Sequence, residues 1–367
     1  MLEVADIVRL HRTAYAQQSG GRLSSVQKRA LRDIAACRTP FFGGHVYQCD
    51  RCPQKVFSYH SCGNRSCPKC HQLQTDRWMD KQRGHLLPCS YFLVTFTLPD
   101  ELRKLARSHP RIVYGLLMKA AAAALQKLAN DPRFLGARIG ALAVLHTWTR
   151  AMLLHPHVHM LVTAGGLSAD HTWVDSKHSQ FLVPVEALSV IFRAKICAGL
   201  NKAGLLGSVP PSLWKKKWVV HCQPAGRGEK VLEYLGRYVF RIAITNSRLE
   251  SFENGQVRFR YRDNRTQQIR HVTLPALEFI ERFLQHVLPP GSVKVRYYGI
   301  WSPSCRQQLH LARTLLTAHP PAATASPVLS PPQAPRTSAP VHRRCPFCAA
   351  GVLRLVQTLL PQRSHSP

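Results

Sequence analysis

The 367-residue chain carries 50 Lys and Arg against 19 Asp and Glu, a formal charge of +31, with 45% hydrophobic residues. That apolar content excludes disorder throughout, and the length allows roughly two or three domains with a sizeable core. Such a charge excess points to a polyanionic partner. Nucleic acid comes before an acidic membrane face, because the basic residues are spread along the chain rather than gathered beside an apolar helix.

Met1–Gln18 alternates apolar and charged residues and lacks the apolar stretch of a signal peptide. The longest apolar run lies near Ile139–Leu145, well short of a membrane span. A cytosolic protein without a membrane partner is the expectation, so its 12 cysteines are expected to bind metal rather than form disulfides.

In chain order, Ser24–Cys37 has apolar residues at Val26, Ala30, Leu31 and Ile34, which predicts a helix. Five cysteines between Cys49 and Cys70 then mark a small N-terminal module, residues 1–85. Residues 86–317 read as one mixed α+β domain. Ser90–Leu98, rich in β-branched and aromatic residues and stopped by Pro99, predicts a buried strand. The Ala- and Leu-rich Ile112–Ala129 predicts a helix. Two strands follow, Ile139–Trp148 and His157–Thr163, joined by a turn near Thr149–Leu153.

Gly228–Ile242 reads as a helix. Val257–Arg262 alternates Val257, Phe259 and Tyr261 with Arg258, Arg260 and Arg262, a strand with one apolar and one basic face. Leu277–Val287 reads as an amphipathic helix and Val293–Ile300 as a strand. Residues 318–342 form a Pro-rich linker, with seven prolines between His319 and Pro340. A tail, 343–367, carries Cys345-Pro-Phe-Cys348.

Cys49-Asp-Arg-Cys52 and Cys67-Pro-Lys-Cys70 are separated by fourteen residues. Two tight turns of this kind can give four thiolates to one tetrahedral Zn²⁺, which predicts a zinc-ribbon-like site of Cys49, Cys52, Cys67 and Cys70. Scattered buried thiols are the plainer alternative, and the paired spacing argues against it. Cys62, His45, His60 and His71 are surplus and leave open an alternative ligand set or a second ion. Cys345 and Cys348 are half a site, with Cys305 or His342 as candidate partners, or no site at all. Arg51, Lys55, Arg65 and Lys69 lie between the ligands, where DNA contact and a purely structural zinc are equally compatible.

His157 and His159 stand two apart on a predicted strand, so both imidazoles share a face and Val158 packs on the other. Alone, the pair reads better as two surface histidines than as metal ligands. If the hairpin folds symmetrically about residues 151–152, however, His146 lies directly across from His157 on that same face. Three such histidines can hold a divalent cation with positions left for a phosphate. In Glu233–Arg241, Tyr234 and Tyr238 share one helical stripe, as do Arg237 and Arg241. Tyrosines so spaced commonly serve helix packing. They can also attack phosphodiesters, with a metal and arginines balancing the phosphate charge.

The ordered set Tyr59-His-Ser-Cys-Gly-Asn-Arg-Ser-Cys-Pro-Lys-Cys70, Leu145-His-Thr-Trp148, His155-Pro-His-Val-His159, Tyr234-Leu-Gly-Arg-Tyr238 and Val295-Arg-Tyr-Tyr-Gly299 resembles the HUH-type, two-tyrosine, rolling-circle insertion-sequence transposases. The resemblance covers most of the chain. It implies an antiparallel sheet palm flanked by helices, a catalytic Mg²⁺ or Mn²⁺ on His157 and His159, and Tyr234 and Tyr238 as nucleophiles. By analogy with other HUH enzymes a third polar ligand is expected, and His146 is the choice. Ser66 stands where the family pattern leads one to expect histidine, which argues against a ligand there, and the Pro-rich stretch looks like an insertion.

The implied activity is cleavage of single-stranded or hairpin element ends through a 5′-phosphotyrosine, followed by strand transfer into target DNA. Arg237, Arg241, Arg258 and Arg260 would contact that DNA. The setting would be the bacterial cytoplasm beside the nucleoid, and a homo-oligomer is compatible. A plasmid replication initiator or relaxase would use the same chemistry. A non-catalytic zinc-dependent regulator would bind nucleic acid without forming an adduct. The helical His-Glu-x-x-His of a zinc metalloprotease is absent.

Overall fold

A computed structural model describes residues 2–70, 78, 79, 82, 84–227, 231, 242–263, 266–318 and 344–362. Its helices are α1 (Val4–Gln18), α2 (Ser25–Ala35), α3 (Arg103–Ser108), α4 (Pro110–Ala129), α5 (Val185–Lys202), α6 (Ala276–Leu284) and α7 (Arg306–Ala318). The strands are β1 (Gly44–Cys49), β2 (Lys55–Tyr59), β3 (Tyr91–Thr97), β4 (Arg138–Trp148), β5 (Leu154–Leu167) and β6 (Trp173–Asp175). They continue with β7 (Val220–Gly226), β8 (Leu249–Glu253), β9 (Gln256–Arg262), β10 (Ile269–Pro275), β11 (Val295–Gly299) and β12 (Leu353–Leu359). The class is α+β, with antiparallel sheets flanked by helices.

The chain divides into two compact units, and their boundaries differ from the consecutive domains expected above. One unit joins Met1–Gln74, Ile244–Val287 and Ser330–Pro367; the other joins Thr75–Ala243 and Leu288–Leu329. The stretch around β8–β10 and α6 therefore leaves the domain 86–317 in which the sequence order had placed it. The reason is packing. The amide of Val4 donates to Asn246 Oδ1 at 3.1 Å, and Gln27 Nε2 donates to the carbonyl of Leu284 at 3.1 Å. The tail joins the same unit through β12.

In that first unit, Ser24 and Gln27 form a reciprocal capping box at the start of α2, and Ala30, Leu31 and Ile34 are buried. One sheet has the order β12-β1-β2 and another β10-β9-β8. Along β9, Val257 and Phe259 are buried while Arg258, Arg260 and Arg262 are exposed, the two-faced strand expected from the alternation.

The second unit is built on a six-stranded antiparallel sheet of order β11-β4-β5-β3-β7, with β6 beside β5. Alternate residues reach its two faces. Val94 and Phe96 of β3, Ala143 and Leu145 of β4 and Val158 and Met160 of β5 pack in one cluster with Leu117, Leu125 and Phe192 of α4 and α5. Helix α4 is long and apolar enough to cross a membrane, but it is mostly buried as the core helix of this unit. On the opposite face, Leu142, Val144 and Leu161 pack with Trp301 and with Ala312 and Leu316 of α7. Gly299 closes the last motif quoted above. Its φ is +62°, and a Cβ there would stand 1.8 Å from the carbonyl oxygen of Ile139.

The predicted helix Gly228–Ile242 and the Pro-rich linker fall on segments lying almost entirely outside the described residues.

Candidate functional site

The second unit gathers His146, His157 and His159 on one face of its sheet. In the β4–β5 ladder His146 pairs with His157, the register that symmetry about residues 151–152 requires. Val158 is fully buried on the other face. One ring nitrogen from each histidine lies within 4.8 Å of the others. The rings meet edge to face, with centroids 5.3 Å apart for His146 and His157, 4.8 Å for His146 and His159, and 4.9 Å for His157 and His159.

The surroundings orient these rings. His157 Nδ1 is 2.7 Å from the carbonyl oxygen of His155, which can only accept, so Nδ1 carries the proton and Nε2 keeps its lone pair. Thr95, directly across from His159 on β3, has its hydroxyl 3.0 Å from His159 Nδ1. Trp148 stacks on His146 at 4.8 Å, and the Lys294 ammonium lies 5.3 Å from the centroid of the Trp148 ring. Burial lowers the His157 pKa to about 4, so at neutral pH the ring is uncharged, the form that binds metal. Three imidazoles on one face fit a divalent cation with open positions. An all-nitrogen set suits Mn²⁺ better than the oxygen-seeking Mg²⁺. Tyr234, Arg237, Tyr238 and Arg241 lie outside the described residues.

In the first unit the cysteines form two groups, not the single one that their spacing suggested. Cys37, Cys62, Cys67 and Cys70 make one; Cys49, Cys52, Cys345 and Cys348 make the other. The β1–β2 hairpin causes the split. Cys49 and Cys52 sit at its closed end. At its open end Gly44 pairs with Tyr59, so residues just before β1 and just after β2 are neighbours. The amide of Arg38 donates to the carbonyl of His60, and that of His60 to the carbonyl of Gly43. A strand of this length holds the two ends roughly 17 Å apart, too far for one ion.

Cys37, at the foot of α2, is the candidate ligand that sequence reasoning missed. An unpaired Cys62 beside a complete Cys-x-x-Cys was the available signal. Sγ of Cys70 lies 3.5 Å from that of Cys37 and 3.5 Å from that of Cys62. Thiol contacts from Cys37 first, then Cys62 and Cys67, hold Cys70 far below the ordinary thiol range, while Cys62 and Cys67 are pushed up. Asp33, almost fully buried, accepts from Arg29, Arg32 and Asn64 and ties α2 to the loop bearing Cys62 and Cys67. His45 and His60 pack edge to face at 4.9 Å, and neither belongs to a cysteine group; His71 and His342 lie outside the described residues. Cys305 stands beside Ser304 and belongs to neither group. Arg258 pairs with Glu250 at 3.2 Å, and the Arg260 guanidinium reaches the carbonyl of Ser247 at 3.5 Å.

Comparison with known proteins adds the family. Residues 140–308 match a family described as "Putative transposase", and residues 7–98 match the "Transposase zinc-binding domain". A Sinorhizobium fredii protein named "Putative transposase y4qJ" is 40% identical over 379 residues, covering 97% of this chain and 95% of its own. The chain belongs to the rolling-circle insertion-sequence transposases. The transposase for insertion sequence element IS801 of Pseudomonas savastanoi pv. phaseolicola is 30% identical, covering 78% of this chain and 72% of its own. No solved structure matches. In this transposase the first match spans all three clustered histidines and the segment with Tyr234 and Tyr238. The second spans the Cys37 group but neither Cys345 nor Cys348. Family membership makes the protein an enzyme acting on DNA, and it carries a zinc-binding domain.

Proposed function

We propose that this transposase cuts single-stranded or hairpin DNA ends by tyrosine attack, with the cluster of His146, His157 and His159 as its catalytic metal site. The observation carrying this reading is the three-imidazole face itself, in a chain whose relatives are transposases. A cation held there, Mn²⁺ in preference to Mg²⁺, would polarise the oxygens of the scissile phosphate.

One of Tyr234 and Tyr238 gives up its proton, and its oxygen bonds to phosphorus. The bond from phosphorus to the 3′ oxygen breaks, and that oxygen leaves as a free 3′-hydroxyl. The 5′-phosphotyrosine conserves the bond energy, so no nucleotide triphosphate is needed. The second tyrosine cleaves again while the first strand is attached, and a 3′-hydroxyl attacking a phosphotyrosine joins the strands. Arg237 and Arg241 balance phosphate charge at the cut, and Arg258 and Arg260 track the DNA backbone. Cys37, Cys62, Cys67 and Cys70 hold a structural Zn²⁺. The protein acts in the cytoplasm on nucleoid DNA, without a membrane partner, and a homo-oligomer is compatible with this reading.

The test is a labelled single-stranded oligonucleotide from the element end incubated with protein and Mn²⁺. An adduct that survives SDS, is abolished by EDTA and is absent from the Tyr234→Phe/Tyr238→Phe double variant is expected. An adduct in the double variant removes these nucleophiles. DNA binding with no adduct in the unsubstituted protein leaves a zinc-dependent regulator instead.

A further inference from the structure

Cys345 and Cys348 lie outside the stretch matched by the zinc-binding family. The structure nevertheless supplies them with two more thiols. We propose that the chain holds a second zinc ion, bound by Cys49 and Cys52 from the closed end of the β1–β2 hairpin and by Cys345 and Cys348 from the tail. The metal thereby pins the C-terminal segment to the N-terminal module.

Three independent observations carry this. The first is spacing. Sγ of Cys49 is 3.7 Å from that of Cys348, and Sγ of Cys52 is 3.7 Å from that of Cys345. All four sulfurs lie within 4.8 Å of one another. With Zn–S bonds of about 2.3 Å, the edge of a ZnS₄ tetrahedron is about 3.8 Å. A disulfide would bring two sulfurs to about 2.05 Å, and all four thiols are free.

The second is the shell around the sulfurs. The amide of Arg51 points to Cys49 Sγ and that of Gly351 to Cys348 Sγ, each at 3.4 Å, donors that favour the thiolate form. Gly351 is also required sterically, since a Cβ there would stand 2.3 Å from Cys49 Sγ. Cys345 and Cys49 are buried.

The third is the backbone that delivers the pairs. β12 runs antiparallel to β1, with Cys49 opposite Leu353, so the residues before β12 arrive at the closed end of the hairpin. Asp50 and Val352 seal the junction: the Asp50 amide donates to the Val352 carbonyl, and the Val352 amide donates to Asp50 Oδ1 at 2.8 Å. Each pair is a tight turn, Cys49-Asp-Arg-Cys52 and Cys345-Pro-Phe-Cys348. On taking the metal, each thiol releases its proton to solvent. The donor set is four sulfurs, which excludes Mg²⁺ or Mn²⁺ as the resident ion.

The full-length protein, purified under reducing conditions, is analysed for metal by mass spectrometry. Two zinc ions per chain are expected, and one in the Cys345→Ser/Cys348→Ser variant. A single zinc in the unsubstituted chain overturns the proposal, as does iron in the second place or two zinc ions retained by the variant. An intact mass about 4 Da below the reduced value, with one zinc, means two disulfides and overturns it equally. A second measurement does not depend on the variant folding. A protease site placed between Ala325 and Thr337 is cut in the otherwise unchanged protein. The tail fragment should stay bound until a zinc chelator releases it; a fragment that leaves on cleavage alone overturns the proposal. These outcomes are independent of DNA cleavage, so they stand whether or not the tyrosine chemistry does.

Discussion

The histidine cluster and the cysteine clusters are assembled in opposite ways. The three imidazoles come from a single hairpin, within residues 146–159, and strand geometry alone aims them at one point. The thiols are brought together across 33 residues for Cys37 and Cys70 and across 299 for Cys49 and Cys348. A site made within one sheet is held by a ladder that exists without the ion. A site made from distant segments, joined by one long-range strand pairing and a few hydrogen bonds, leans more on the ion, and there binding free energy becomes folding free energy. The histidine face should therefore survive loss of a bound metal, and the N-terminal module should not.

The hardest blow to that contrast is Cys67→Ser. It removes one ligand of the Cys37 group, where structural zinc in small modules contributes on the order of 10–16 kcal/mol in apparent terms. The variant should lose a zinc ion, and its first 70 residues should become open to trypsin, while Mn²⁺ titration followed by electron paramagnetic resonance remains unchanged. If Mn²⁺ binding disappears as well, the histidine face depends on the zinc module and the two sites are not separately built.

His157→Ala is the converse. It should lower Mn²⁺ affinity by at least about 100-fold and abolish the DNA adduct, while zinc content and trypsin resistance stay at their original values. Partial unfolding of the second unit in this variant would show that the ladder does need its metal.

The same contrast explains what could be read from the sequence. His146, His157 and His159 were legible because one rule, alternation with period two, and one assumption, a symmetric turn, fix their faces. The basic face of β9 followed from the same rule. The cysteine partners were not legible, although the residues themselves were. Pairing Cys49 and Cys52 with Cys67 and Cys70 satisfied the spacing of a familiar pattern. Nothing local said that residues 55–59 form a strand carrying the second pair away from the first. Cys37 and the tail enter only through pairings of distant backbone, Gly44 with Tyr59 and Cys49 with Leu353. The discontinuous first unit was hidden for the same reason, since α6 reads as an amphipathic helix whose partner the sequence does not name.

The finest test concerns what holds an imidazole once the ladder has aimed it. Thr95 lies opposite His159, and its hydroxyl is 3.0 Å from Nδ1, so it fixes the ring's rotation without touching a metal. Thr95→Val keeps shape and β-propensity but removes that oxygen. Groups that orient a metal-binding histidine are worth about 10–100-fold in affinity, and the lower end is expected here because Thr95 does not act alone: the strand already limits the ring to one face. Mn²⁺ affinity should fall about 10-fold, with zinc content untouched. An unchanged affinity would mean that the sheet by itself orients His159, and the histidine site would then owe its whole geometry to the backbone.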